Sequence, residues 1–405
     1  MINKKPELLA PAGNMKMIWA AINNGADAVY FGLESLNMRA KANNFSLKNL
    51  DEIVKICHDN NVAAHLTINS IIYQNEIAIL DGYLKKAKEA EIDMIICWDM
   101  AVISKCIEYK IPFCISTQAS VSNSAAAHFF KTLGAKRIVL ARECTLENII
   151  EIKQNVDIEI ETFIHGAMCL AISGRCLLSH FAFGKSANRG ECIQPCRREY
   201  EIIDKDDDYS LILGNDYILS PNDLCSIGFI DKLIDAKIDS FKIEGRKRSP
   251  EYVAKVISVY KESINLHLAN QLTEERKNEL ENELKKVYNR GFSSGFYFGK
   301  PASDKYAKKY GSEATTRKEY SAKVINYFKK TNIAHIKIES NGIKSGEIIY
   351  IIGNTTGAIE LKLPQLKKDD QFISEANKGD EVTFYCNNIL KPGDEIYKII
   401  SLQPQ

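Results

Sequence analysis

The sequence predicts an α/β protein: a TIM-type (β/α)8 barrel carrying a cysteine-rich insertion after its seventh strand, followed by a small all-β barrel. Three observations lead there. Over the first 250 residues a short apolar run, a polar break and an amphipathic helix recur until eight strand candidates have passed, the number that closes a parallel barrel. One link in that series is far longer than the others and holds a cluster of four cysteines among the chain's 11. From Tyr320 the pattern changes to short alternating strands separated by turn residues.

The strand candidates are residues 7–11, 28–33, 62–68, 94–98, 112–117, 137–141, 158–164 and 240–244. They are short, largely apolar runs, as strands buried on both faces tend to be. Among the helices, 46–60 opens on Ser46 as N-cap, 76–90 follows, and 145–154 opens on Thr145 with Glu147 in its first turn, where a carboxylate suits the helix dipole. Asn148, in place of Glu or Gln, is expected to leave that capping box incomplete. A doubly wound open sheet is the alternative, but no G-x-G-x-x-G follows the first strand. The expected boundaries are a barrel domain over 1–300 with an insertion over about 166–239, a linker over 301–319 and a β domain over 320–405. Strands in the last are expected at Ala322–Tyr327, Ile333–Ile338, Ile348–Ile352 and Val382–Tyr385, after a charged helix around 273–288.

Composition excludes several classes. With 45% hydrophobic and 26% charged residues the chain of 405 is an ordinary globular sequence. Lys and Arg (53) balance Asp and Glu (52), so any nucleic-acid contact must come from a local patch. No apolar run approaches the ~18 residues that span a bilayer, and no membrane association is expected. Met1-Ile-Asn-Lys-Lys-Pro6 shows no signal-peptide core, and the remaining seven cysteines are scattered, so the reducing cytoplasm is the expected compartment.

Chemistry concentrates in the long excursion. Cys169, Cys176, Cys192 and Cys196 are spaced C-x6-C-x15-C-x3-C among Gly, Ser and Arg. Four such thiols suit an iron–sulfur cluster. Structural zinc and inert thiols are the alternatives, and only Cys192 and Cys196 have knuckle-like spacing. Cys225, in Ser220-Pro-Asn-Asp-Leu-Cys225, reads as the first turn of a helix, either a packing cysteine or an alternative ligand. Loops after barrel strands face the catalytic rim. There His165, Glu244 and Gln118 are the catalytic candidates, and Asn69, Arg142, Arg197, Arg246 and Arg248 the substrate-binding ones. Guanidinium groups take carboxylates or phosphates in bidentate fashion. Gly291-Phe-Ser293-Ser-Gly295 matches G-x-S-x-G, but a charged helix precedes it and Phe-Tyr-Phe follows, which is not the setting of a nucleophile elbow.

Several blocks together resemble the U-thirty-two peptidase family, also called collagenase-like. They are Pro6-Glu-Leu-Leu-Ala-Pro-Ala-Gly13, Gly25-Ala-Asp-Ala-Val-Tyr30, Ser116-Thr-Gln-Ala-Ser120, Glu161-x-Phe163-x-His165-Gly-Ala-x-Cys169, Ala187-Asn-Arg-Gly190 and Lys242-Ile-Glu-Gly-Arg246. The resemblance implies oxygen-independent hydroxylation with an iron–sulfur (4Fe–4S) cluster. In the branch it fits best, the reaction is conversion of a tRNA wobble uridine to 5-hydroxyuridine with prephenate, a small dicarboxylate, as co-substrate. Cys169, Cys176, Cys192 and Cys196 look like that branch's cluster cysteines. The resemblance leaves open hydroxylation of a ribosomal RNA cytidine, peptidase activity, and an oligomer of this chain with itself or with a paralogue.

Overall fold

The computed structural model describes residues 5–39, 44–172, 175–200, 219–301, 305–307 and 311–402. Gly174 of the cysteine segment, residues 201–218 of the insertion and residues 302–304 and 308–310 of the linker lie outside these.

Eight parallel strands close a barrel. They are β1 (Glu7–Pro11), β2 (Ala28–Gly32), β3 (Ala63–Thr67), β4 (Met94–Cys97), β5 (Phe113–Ile115), β6 (Arg137–Val139), β7 (Glu159–Gly166) and, after a short β8 (Asp223–Cys225), β9 (Ser240–Ile243). β9 pairs in parallel with both β7 and β1, which closes the ring. The strands are almost wholly buried because helices cover their outer faces. These helices are α1 (Met15–Asn23), α2 (Leu50–Asp59), α3 (Ile77–Glu89), α4 (Met100–Tyr109), α5 (Ser124–Thr132) and α6 (Leu146–Asn155). A short α7 (Leu178–Phe183) lies within the insertion, and α8 (Ile230–Asp235), α9 (Pro250–Leu268) and α10 (Glu274–Lys285) complete the set.

Side-chain caps start several helices: Asn14 accepts from Met17 N, Asp99 from Ala101 N and Asn123 from Ala126 N. Ser46 precedes a single 3-10 turn rather than α2 itself, its Oγ donating to Asn49 Oδ1 at 2.8 Å. At α6 the capping box is complete, contrary to the expectation for Asn148. Its Oδ1 accepts from Thr145 N at 3.3 Å while its own N–H donates to Thr145 Oγ1 at 3.3 Å, so the shorter amide reaches.

β8 is the second departure. Ser220-Pro-Asn-Asp leads into a strand, not a helix: β8 runs antiparallel to the end of β7, pairing Cys225 with His165, and parallel to β10 (Phe292–Ser293). Both ends of the insertion are thereby fastened to the barrel wall.

An antiparallel all-β region follows. Its main sheet contains β11 (Thr316–Phe328), β12 (Ile333–Ile338), β14 (Ile348–Gly353), β15 (Gly357–Lys362), β16 (Leu366–Lys368), β17 (Gln371–Ile373), β19 (Glu381–Tyr385) and β20 (Glu395–Ser401). Their order is β15-β14-β20-β11-β12-β19-β16-β17, with β13 (Ile343–Lys344) and β18 (Glu375–Ala376) as a separate pair. β11 begins at Thr316, inside the stretch read as linker. The β14–β15 hairpin seats on α1: a Cβ on Gly357 (φ +73) would stand 2.6 Å from Ala20 N, and Asn23 Nδ2 donates to Thr356 O at 3.1 Å.

The barrel lumen is closed by charge rather than by aliphatic layers. Glu161 of β7, with no exposed surface, accepts from Lys242 Nζ of β9 at 2.7 Å and Arg137 Nη1 of β6 at 3.2 Å, and Arg137 also reaches Glu7 of β1 and Glu159. Burial alone would raise the Glu161 carboxyl. Lys242 and Arg137 outweigh it and hold the group below its ordinary value. A depressed carboxylate contributes stability that is full above its unfolded value, about 4.3, and is lost as the pH falls below that. Glu161→Gln strands the buried Lys242 ammonium, while Arg137 keeps Glu7 and Glu159, and should cost about 3–5 kcal/mol, read by urea unfolding at pH 7. The penalty should shrink as the pH is lowered through 4.

Candidate active site at the carboxyl rim

Above this ionic floor the βα loops enclose a cavity. Cys169, Cys176, Cys192 and Cys196 all line it, together with Asn69, Gln118, Arg142, Arg197, Glu244 and Arg246. The expected rim residues thus converge, with three exceptions.

His165 is the first. Alternation along β7 would send Glu161, Phe163 and His165 all inward. The register against β9 shifts between Phe163 and His165, so that Phe163 faces Lys242 and His165 faces Ile243, and the extra residue turns the imidazole out of the barrel. It packs on Tyr252, Tyr260 and Phe292, with Nδ1 3.3 Å from Tyr260 Oη. Tyr260 Oη also donates to Ile164 O at 3.0 Å and accepts from Ser226 N at 3.1 Å, so this cluster ties β7 to β8. Arg248 is the second: its guanidinium stacks on Tyr288 at 3.6 Å, outside the cavity. Cys225 is the third, buried behind β7 with Sγ 3.8 Å from Tyr260 Oη. A thiol facing that way is remote from the other four.

Within the cavity the cations carry the electrostatics. Arg246, 5% exposed, donates to Thr67 Oγ1 at 2.9 Å and Asn37 Oδ1 at 3.2 Å, and burial lowers its guanidinium to about 10. Gly32 makes room for it, since a Cβ there would lie 2.5 Å from Arg246 Nη1. Arg142 stacks on Phe163 at 3.9 Å and donates to Ala167 O at 2.6 Å, and its buried Nε has no hydrogen-bond partner among the described residues. Arg39, which sequence reasoning passed over, stands 3.2 Å from Glu244. Its signal was weak: it follows β2 by a loop rather than standing at the strand end. Burial would raise the Glu244 carboxyl, yet Arg39, Arg142 and Arg246 hold it at about 2. Glu244 is therefore an ionised partner of arginines, unsuited to proton transfer near neutrality.

Three other candidates are largely committed to the fold. Arg197 donates to Ser220 Oγ, Pro221 O and Met168 O, strapping one end of the insertion to the other. Gln118 donates to Asn69 O at 3.1 Å and accepts from Ser116 Oγ. Asn69 Oδ1 accepts from Met38 N at 3.1 Å.

The four rim thiols are free, and Cys192 Sγ accepts from Gln194 N at 3.4 Å. Burial raises Cys196; Arg197 opposes this, while Cys169, Cys192 and Cys176 raise it further, so the four sense one another. Among the described residues no three His, Cys, Asp or Glu side chains converge tightly enough to hold a single metal ion. Four thiols beside cations and a backbone N–H are, by donor chemistry, the soft set that an iron–sulfur group takes.

The profile of Peptidase family U32 matches residues 13–307. The chain belongs to that family. Within U32, it is 39% identical over 97% of both chains to a collagenase of Porphyromonas gingivalis. It is 37% identical, over 89% of its own length and 87% of the relative's, to tRNA hydroxylation protein P1 of Bacillus subtilis. A 23S rRNA 5-hydroxycytidine synthase of Escherichia coli is 37% identical over 64% of this chain and 39% of its own length. No helix among the described residues is long and apolar enough to cross a membrane.

The buried His165 gives this U32 chain a specific acid response. Burial, aided by Arg248, lowers the imidazole to about 3, so between that value and about 6.5 the unfolded chain binds a proton that the folded chain refuses. Stability should therefore rise with pH through this window. His165→Phe should flatten that limb of the stability curve, as followed by denaturant midpoints from pH 4 to 7.

Proposed function

We propose that this chain hydroxylates RNA, converting a tRNA uridine to 5-hydroxyuridine with prephenate as co-substrate and a 4Fe–4S cluster on Cys169, Cys176, Cys192 and Cys196. The observation that carries the reading is that these four thiols and four arginines, Arg39, Arg142, Arg197 and Arg246, line a single barrel cavity. The two RNA-acting relatives supply the substrate class.

Replacing a C–H bond of a base by C–OH is a two-electron oxidation, beyond the reach of side chains alone. When bound, an iron–sulfur cluster supplies the electron transfer. The chain's own residues select and hold the reactants. Arg246 and Arg142 offer guanidinium groups to an anion, and Arg39 is held beside them by Glu244. Asn69, its amide oxygen held by Met38 N, lines the same cavity. Lys242, pinned to Glu161 beneath the ring of Tyr30 at 4.5 Å, adds positive potential from the floor. Low dielectric around Arg246 strengthens each of these attractions relative to water.

Anaerobically matured protein should contain about four iron and four sulfide, and Cys169→Ser should lose the visible chromophore. A deletion strain should lack 5-hydroxyuridine-derived nucleosides in tRNA. The wild-type gene should restore them, whereas Cys176→Ser and Arg246→Ala should not. Unchanged nucleosides in a strain without a paralogue would refute the tRNA assignment.

The collagenase relative favours a second reading, proteolysis. Ser293 is its sequence candidate, but it lies in β10 outside the cavity. Its Oγ accepts from Gly295 N at 3.3 Å, and among the described residues no histidine or carboxylate bonds to it. Ser293→Ala should leave RNA hydroxylation unchanged. Collagen cleavage by pure protein that is abolished in this variant would establish the peptidase reading instead.

A further inference from the structure

The cysteine segment also builds the outer lip of the cavity, and that lip is unusually apolar. Phe181 is 81% exposed, Leu177 59% and Phe183 41%, with Ile172 and Ile193 also open to solvent. Leu177 and Phe181 stand one helical turn apart, Phe181 N donating to Leu177 O at 2.8 Å, so they share a face at α7. Ser179 of α7 accepts from Ile193 N through its Oγ at 3.3 Å and from Lys185 N through its carbonyl at 3.2 Å, and the Arg198 guanidinium lies 4.8 Å from the Phe183 ring centre. Exposed apolar surface of this kind on a globular chain marks a binding site.

Charge says what binds. Between Cys169 and Tyr200 there are five Lys or Arg and two Glu; Arg189 is paired with Glu76 and Arg197 with the insertion itself, which leaves Lys185 and Arg198 as the cations next to α7. Aromatic rings set among cations suit unpaired nucleic acid, whose bases stack while its phosphates pair with Lys and Arg. A protein partner docking on the same shelf would need a drier, less charged centre.

We propose that Phe181 and Leu177, with the Arg198–Phe183 pair behind them, form a stacking shelf for unpaired RNA, seating the nucleotide next to the one whose base enters the cavity. This rests on the RNA reading above and adds to it a requirement for a single-stranded or looped substrate. A base inside a duplex cannot reach a barrel lumen without being extruded, and a shelf at the mouth would hold its displaced neighbour.

The test uses full-length, anaerobically matured protein and a labelled uridine-containing RNA, either unpaired or annealed to its complement, followed by fluorescence anisotropy across a salt series. Wild type should prefer the unpaired strand. Phe181→Ala should weaken that binding about 5- to 100-fold with an unchanged salt slope. Phe181→Trp should retain it, and Phe181→Leu should not, because the demand is for a ring rather than for apolar area. Lys185→Gln should instead reduce the salt slope by about 0.7. Iron content must match wild type in each. Equal affinity in Phe181→Ala, retention in Phe181→Leu, or a change in oligomeric mass in place of RNA affinity would overturn the shelf. Wild type that hydroxylates RNA yet ignores Phe181 sinks the shelf alone. Wild type that neither binds nor modifies RNA sinks the reading beneath it.

Discussion

Glu161 accepts two cations where no water reaches it, and the barrel closes around that arrangement. Its carboxylate joins Arg137 of β6 to Lys242 of β9, and Arg137 extends the chain to Glu7 of β1. The bonds therefore cross the seam where β9 inserts between β7 and β1. Buried ion pairs are seldom favourable over an apolar core. This one does two things a layer of leucines would not. It fixes the register of the closing strand, and it carries a Lys242 ammonium up under Tyr30 and Phe163 to form the floor of the cavity.

Everything above the floor inherits that positive bias. Arg39, Arg142 and Arg246 share one carboxylate, Glu244, and desolvation already pulls Arg246 below its ordinary value. An anion entering the cavity would relieve part of that cost, which makes the site selective for charge before any shape is considered. The insertion brings its thiols to the same wall because both of its ends are tied down, at β8 through Tyr260 and at Arg197 through Met168, Ser220 and Pro221.

The eight barrel strands were legible because strands buried on both faces tend to be largely apolar runs, and each was found within a residue or two of its place. β8 was not legible. Three residues carry no periodicity, and Ser220-Pro-Asn-Asp is as good a helix opening as a strand approach. His165 misled for a different reason: strand parity pointed it at the lumen, and a single extra residue between Phe163 and His165 reversed it. Such a shift has no sequence mark, since its cause is pairing with Lys242 and Ile243 some eighty residues away. Arg39 was hidden by loop geometry. The four cysteines and Arg246 were visible because thiol spacing and rim position are local facts.

The central claim is that thiols and arginines serve one reaction space. Electron paramagnetic resonance on the reduced, anaerobically matured protein addresses it directly, with and without prephenate. The dicarboxylate should shift the cluster signal of the wild type and leave that of Arg246→Ala untouched at equal iron content. A wild-type signal indifferent to a dicarboxylate shown by calorimetry to bind would mean that the cysteines and the cationic pocket are separate sites.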